Sequence, residues 1–243
     1  MNNNYYDMIF KRKSFRRYAK NLKINDNELI LIENKIGELI PLIDNIKVDY
    51  EIVKSENTNV RRGEYCILIY SEDKEGYLLN IGYMFEQLDL YLSSIDIGVC
   101  WYGMGNTKIK EKNGLKYVIM MTIGKASEDE FRKDYTKAKR KNIEDNWVGD
   151  LKEIGEIAKY APSACNSQPW DILVEGNKIN VHRLKKVKCI IPLFKIPFYN
   201  SIDMGIYLLI LELVLNKNGI GFKRNIIDED MEEKVKIAEY IID

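Results

Sequence analysis

The sequence of 243 residues predicts an α+β fold made of two related halves packed around long buried helices. Three observations predict it. First, residues 81–98 align with residues 204–221 without a gap, setting Gly82 on Gly205, Asp89 on Glu212 and Gly98 on Gly221 at one offset of 123. A repeat of this length marks two copies of one structural unit. Second, both segments are apolar on nearly all sides, so each reads as a helix that belongs inside the protein, and each runs into a Gly that stops it. Third, short β-branched runs follow each helix: Tyr117 to Ile119 falls on Tyr240 to Ile242 at the same offset.

The elements follow in order. Residues 26–40 and 150–160 read as amphipathic helices with Asp26 and Asp150 as N-caps. After them, Pro41 and Asn45 match Pro162 and Asn166 at an offset of 121. Strands are expected at 48–53, 65–70, 98–102 and 116–123, and again at 171–174, 179–184, 220–224 and 237–242. Glu175 to Lys178 is a hairpin turn signal, and a short helix is expected between the last two strands of each half. Residues 127–146 are polar without core periodicity and read as a crossing linker. The halves are therefore 1–140 and 141–243. Two such units bury their helices most economically against each other, as the subunits of a symmetric dimer do, here fused into one chain.

Composition excludes several functions. Lys plus Arg and Asp plus Glu are each 37, and the resulting net charge of zero argues against a general nucleic-acid coat. The single histidine, His182, rules out a two-histidine metal site and sits in an alternating, strand-like run. The four cysteines form no C-x-x-C pair and read as buried, reduced thiols of a cytoplasmic protein, with no metal site. The start lacks the apolar core of a secretory signal, and the most apolar run, 205–215, contains Glu212 and is too short for a membrane span.

Three segments carry candidate chemistry. Residues 11–18 (KRKSFRRY), with Lys20 beyond, place guanidinium groups beside a Ser hydroxyl, a cradle for one phosphate; a solvated charge cluster is the plainer alternative. Residues 161–170 (APSACNSQPW) form a loop stiffened by two prolines, with small residues that let a flat ring approach and with Asn166 and Gln168 as hydrogen-bonding groups; a plain helix-to-strand connector is the alternative. Cys165 has no base nearby to make it a nucleophile. Residues 98–105 (GVCWYGMG) end a strand in two glycines around Met104.

Together these segments resemble the nitroreductase family of FMN-dependent oxidoreductases, in its single-chain, pseudo-dimeric branch. The resemblance covers most of the chain, although the Pro-Ser loop lies some 150 residues after the Arg-Ser motif, where ordinary members have it within about thirty. It implies a nitroreductase-like fold, with Arg12, Lys13, Ser14 and Arg16 on the FMN phosphate and ribityl chain. Pro162, Ser163 and Ala164 would lie along the isoalloxazine, with Asn166 and Gln168 bonding to it, and Gly103, Met104 and Gly105 would stand at its N5 side. Arg140, within the cationic run 139–141, would be a second phosphate contact. The implied reaction is ping-pong: NADH or NADPH reduces FMN, and a nitroaromatic or quinone then takes the electrons, with no catalytic side chain. A non-catalytic flavin-binding redox sensor and a reductive dehalogenase remain as alternatives. No nucleic-acid or membrane partner is expected, and a monomeric pseudo-dimer is compatible with the repeat. The mirror site of the repeat would pair residues 135–141 with the loop 41–47. Its Leu42 and Ile43 are expected to close it, which leaves one FMN per chain.

Overall fold

The computed structural model describes residues 5–19 and 21–243, so Lys20 lies outside the described residues. Helices α1 (Tyr5–Lys11) and α2 (Asp26–Gly37) precede β1 (Val48–Lys54), β2 (Tyr65–Ser71), α3 (Tyr77–Ser94), β3 (Ile97–Tyr102), β4 (Glu111–Lys112) and β5 (Leu115–Lys125). Then come β6 (Trp147–Val148), α4 (Lys152–Ala158), β7 (Trp170–Glu175), β8 (Lys178–Leu184), α5 (Ile196–Lys217), β9 (Phe222–Asp230) and β10 (Lys234–Ile242). One sheet has the order β1-β2-β5-β3, with β4 beside β5. The other has the order β6-β7-β8-β10-β9. All pairs are antiparallel except β6 with β7.

The core is the crossing of α3 and α5, and two glycines set its closeness. A Cβ on Gly82 would lie 2.0 Å from the carbonyl oxygen of Ile202, and one on Gly205 would lie 1.9 Å from that of Leu79. Leu79 and Ile202 are themselves 123 residues apart, so the contact is reciprocal. Only glycine lets two helix backbones come this near. Every residue from Ile202 to Leu215 is buried, which explains an all-round apolar sequence interrupted only by Asp203 and Glu212. Each Leu or Ile so buried contributes about 1.5–3 kcal/mol. By length and composition Leu193–Lys217 could cross a membrane, but most of its apolar stretch is spent inside the fold.

The two acids of the repeat are both neutralised. Asp89 accepts from Arg12 Nε at 3.1 Å and is ion-paired with its Nη2 at 2.9 Å. Glu212 accepts from Tyr83 and Tyr240, each at 2.7 Å, and pairs with Arg224.

Local details correct the sequence expectations. The cap of α2 is Asn25, whose side chain accepts from the Glu28 N–H at 3.0 Å in a reciprocal capping box, so Asp26 is already helical. The residue before α4 is Leu151 in a left-handed conformation, not Asp150. No helix separates the last two strands of either half: β4 and a turn occupy that place in the first, and β9 runs on to Asp230 in the second. The stretch 127–146 is more than a linker. It makes three 3₁₀ turns and buries Phe131, Ile143 and Asn146. His182 is a buried residue of β8, with Nδ1 3.1 Å from the Asp171 carbonyl oxygen. Cys66 and Cys100 are buried thiols, whereas Cys165 is exposed and Cys189 half-buried.

Candidate functional site

The basic run of the first half lies along the edge of its sheet. Ser14 pairs with Val99 of β3, and the Phe15 N–H donates to the Val99 carbonyl at 2.9 Å. From Ser14 to Arg16 the extended backbone alternates its side chains, burying Phe15 between the exposed Ser14 and Arg16, whereas Arg12, just past the end of α1, is buried on its own account. Phe15 lies over Gly98, where a Cβ would come within 2.6 Å of the ring.

The turn after β3 is held by the other half. The Tyr199 hydroxyl of α5 donates to the Gly103 carbonyl at 2.6 Å, and a Cβ on Gly103 would lie 2.7 Å from the Tyr199 ring. Met104, between the glycines, is 82% exposed.

The loop after α4 is also anchored to α5. Cys165, Asn166 and Gln168 all have left-handed backbone, with φ of 52°, 55° and 48°. Each such non-glycine residue costs roughly 1–2 kcal/mol, so the loop must be held from outside. The Ser163 carbonyl accepts from the Asn166 N–H and its hydroxyl accepts from the Gln168 N–H, both at 3.0 Å. The Ala164 N–H donates to Asp203 Oδ1 at 2.9 Å, and the Ser167 hydroxyl lies 3.3 Å from Asn200 Oδ1.

Four side chains that the resemblance gives to a ligand have protein partners in the fold. Arg12 is 1% exposed and bound to Asp89, with Glu86 at 3.6 Å, because α3 presents two buried acids to it. Arg140 spreads its fork over the carbonyls of Lys139, Lys159 and Tyr160, at 2.8–3.1 Å, and over Asn166 Oδ1 at 3.1 Å. Asn166 also donates to the Lys139 carbonyl, at 3.1 Å. Gln168 Oε1 accepts from the Lys141 N–H, and the Gln168 carbonyl accepts from Lys141 Nζ, both at 2.9 Å. Arg140, Asn166 and Gln168 shape the loop, Lys13 is half-buried with its Nζ 4.9 Å from the Phe15 ring centroid, and Ser14 and Arg16 face out.

The electrostatics are unusual in one place. Burial, and then the positive charge of Arg12, push Arg132 down to about 10. Burial, followed by Arg132 and Arg12, does the same to Arg140, also to about 10. Arg132 Nη1 is buried with no hydrogen-bond partner. Guanidinium groups gathered and dehydrated in this way call for an anion. Arg132 is a residue the sequence reading missed; its one signal was its place beside Phe131 in an otherwise polar stretch.

Arg16 and the loop face each other across the two halves. Burial, Cys189 and Asp203 raise the Cys165 thiol, and Arg16 is near enough to pull it partly back. A raised thiol is a poor nucleophile, in keeping with the sequence expectation. Beneath the loop lie acids also missed in the sequence. Burial lifts Asp203 to about 8. Burial and the charge of Asp89 lift Glu86 far above the carboxylate range, since one Arg12 serves two acids.

With this geometry in hand, the comparisons are decisive about family. The family model described as "Putative TM nitroreductase" matches residues 4–214. The chain belongs to this family. Among solved structures it is similar to a "putative nitroreductase" from Thermotoga maritima, with a TM-score of 0.65 and 20% identity over 98% of this chain and 94% of that one. This shows the shared fold. A nitroreductase family protein from Clostridium difficile matches at 14% identity and a TM-score of 0.42, over 63% of this chain and 96% of that one. Among curated proteins none matches.

The mirror position of this nitroreductase-family chain differs from expectation in two ways. Residues 135–141 do not lie there. Tyr135 packs on Phe10 and Tyr160, and Arg140 clamps the loop, so the segment belongs to the first site. Nor is the mirror cleft closed. Leu42 is buried in the core, but Ile43 forms one wall of an open cavity of about 680 Å³.

Proposed function

We propose that the chain is an FMN-dependent oxidoreductase that takes reducing equivalents from NADH or NADPH and delivers them to a small acceptor such as a nitroaromatic or a quinone. The observation that carries this reading is the cluster of Arg12, Arg132 and Arg140, with its unpartnered buried donor, beside the half-buried Lys13 and the exposed Ser14 and Arg16. That donor set fits a phosphate monoester. When bound, FMN would supply reversible hydride chemistry at N5, which is why a site with no histidine suffices.

The chain's own residues have distinct tasks. Lys13, Ser14, Arg16 and Arg132 bind the phosphate end. Arg12 and Arg140 act from behind, one through charge and the other by fixing the loop. Pro162, Ser163 and Ala164 give a rigid wall for the ring, and Gly103 to Gly105 bring backbone close to it. Asp203 holds a proton near neutral pH. Its Oδ1 accepts from Ala164, so the proton belongs on Oδ2, 3.5 Å from the Ser167 hydroxyl.

The repeat and the reciprocal glycine contact support treating 1–140 and 141–243 as the halves of a pseudo-dimer. Asn80 and Asp203, 123 residues apart, add to this, since each accepts from the backbone of its loop. The test is reconstitution with FMN, followed by anaerobic mixing with NADH and with NADPH. Expected are flavin absorption bands, one FMN per chain, and bleaching by one of the nicotinamides. A protein that stays colourless overturns the reading. One that binds FMN but is not bleached is a flavin carrier or sensor.

A further inference from the structure

The cavity of about 680 Å³ at the far side of the helix crossing is a site in its own right. Its walls stand where the walls of the first site stand. Ile226, Ile227 and Asp228 fall on Gly103, Met104 and Gly105 at the offset of 123, and Ile43 and Asn45 fall on Ala164 and Asn166 at 121. The volume suits a small organic molecule. Its chemistry, however, is not that of a phosphate cradle. The inner walls are aliphatic, from Ile43, Leu79, Met204, Val235 and Ile237.

One polar group inside lacks a partner. Arg183 lines the cavity, and its Nη1 is buried with no hydrogen bond. A buried guanidinium nitrogen without an acceptor is costly, so an acceptor brought by a ligand gains what the fold forgoes. The other charges belong to the rim. Asp73 is bound to Lys116 and Lys74 to Glu72, while Glu75 and Asp228 are exposed to water and screened. Asp228 and Asp230 favour the charge on Arg183 from a distance, but neither satisfies Nη1.

We propose that this cleft binds a small apolar carboxylate, its hydrocarbon body against the Ile43, Met204 and Ile237 wall and its carboxylate accepting from Arg183 Nη1. The inference does not rest on the flavin reading, since no residue of the first site takes part. The test is titration calorimetry of the purified protein, with and without added FMN, with octanoate, octanol and octylammonium. Octanoate should bind one per chain, at least tenfold tighter than either analogue. Arg183→Gln should weaken it at least tenfold while leaving bound flavin unchanged. Ile226→Trp, which fills the cleft from a partly exposed position, should do the same if Arg183→Gln fails to fold. No octanoate binding, equal binding of octylammonium, or binding that survives Arg183→Gln or Ile226→Trp overturns the proposal. So does binding that FMN displaces, which would place octanoate in the first site.

Discussion

Asp203 and Asn80 stand at matching places on α5 and α3 and do the same work. Asp203 Oδ1 accepts from the Ala164 N–H at 2.9 Å, and Asn80 Oδ1 accepts from the Leu42 and Ile43 N–H groups at 2.8 and 3.0 Å. Yet one side is an acid lifted to about 8 by burial, and the other a neutral amide. An amide is the cheaper way to hold a buried loop, because it has no charge to desolvate. The acid stands under the loop that faces Arg16, and the amide under the loop of the cleft without a phosphate cradle. The raised acid at one end and the neutral amide at the other are what sets the two ends apart.

The crossing that both ends share gives the largest expected effect. Gly205→Ala or Gly82→Ala sets a Cβ within about 2 Å of a backbone oxygen, so the helices must part. A loss of about 4 kcal/mol or more is expected in urea denaturation, and a loss under 1 kcal/mol would show that the crossing is loose.

The next effect separates the two ends directly. Burial lifts the Asp203 carboxyl from its ordinary 3.8 to about 8 in the fold. Between those values the folded protein keeps a proton that the unfolded chain releases, so stability falls as pH rises through that window and levels off above it. The decline follows the Asp203 titration, with Glu86 adding in the same direction. Asp203→Asn copies Asn80 and should flatten the decline in melting temperature between pH 5 and 8. An unchanged slope would mean that Asp203 is ionised in the fold.

A smaller effect belongs to the phosphate end. Arg16→Ala should weaken FMN binding by about 1.5–3 kcal/mol by fluorescence titration, the worth of one charged hydrogen bond. Unchanged affinity would move the cradle elsewhere. The smallest concerns Cys165, which is exposed and has a raised thiol. Cys165→Ser should leave FMN binding and NAD(P)H oxidation within twofold, and a large loss of turnover would restore a role for the thiol.

The parts legible in the sequence were those written in apolar pattern. The crossing helices, eight of the strands and the matched glycines follow from burial, and burial leaves a periodic mark. What escaped was written in partners. Arg12 sits in a run of cations that reads as solvated, and nothing in that run shows Asp89 waiting on α3. Asn166, Gln168 and Arg140 read as ligand groups, and nothing in the sequence shows the loop and linker groups that they also meet. The repeat itself misled at residues 135–141, where the register of the core helices was carried past the strands into a segment that packs on α1 and α4. The caps slipped by one residue because Asn25 and Asp26 are both good caps, and only backbone conformation chooses between them.

The joining of both helices in one polypeptide has a consequence for dilution. Arg16 and the loop that carries Cys165 come from opposite halves of one molecule, so their meeting is a first-order event. An equivalent site built by two separate subunits empties as its dimer dissociates. Here the segment through Phe131 and Tyr135, packed on Phe15, Phe10 and Tyr160, tethers the second half to the first at a fixed effective concentration. The contacts between these segments do not depend on protein concentration, and their cost is kinetic, because contacts between residues so far apart in sequence close slowly.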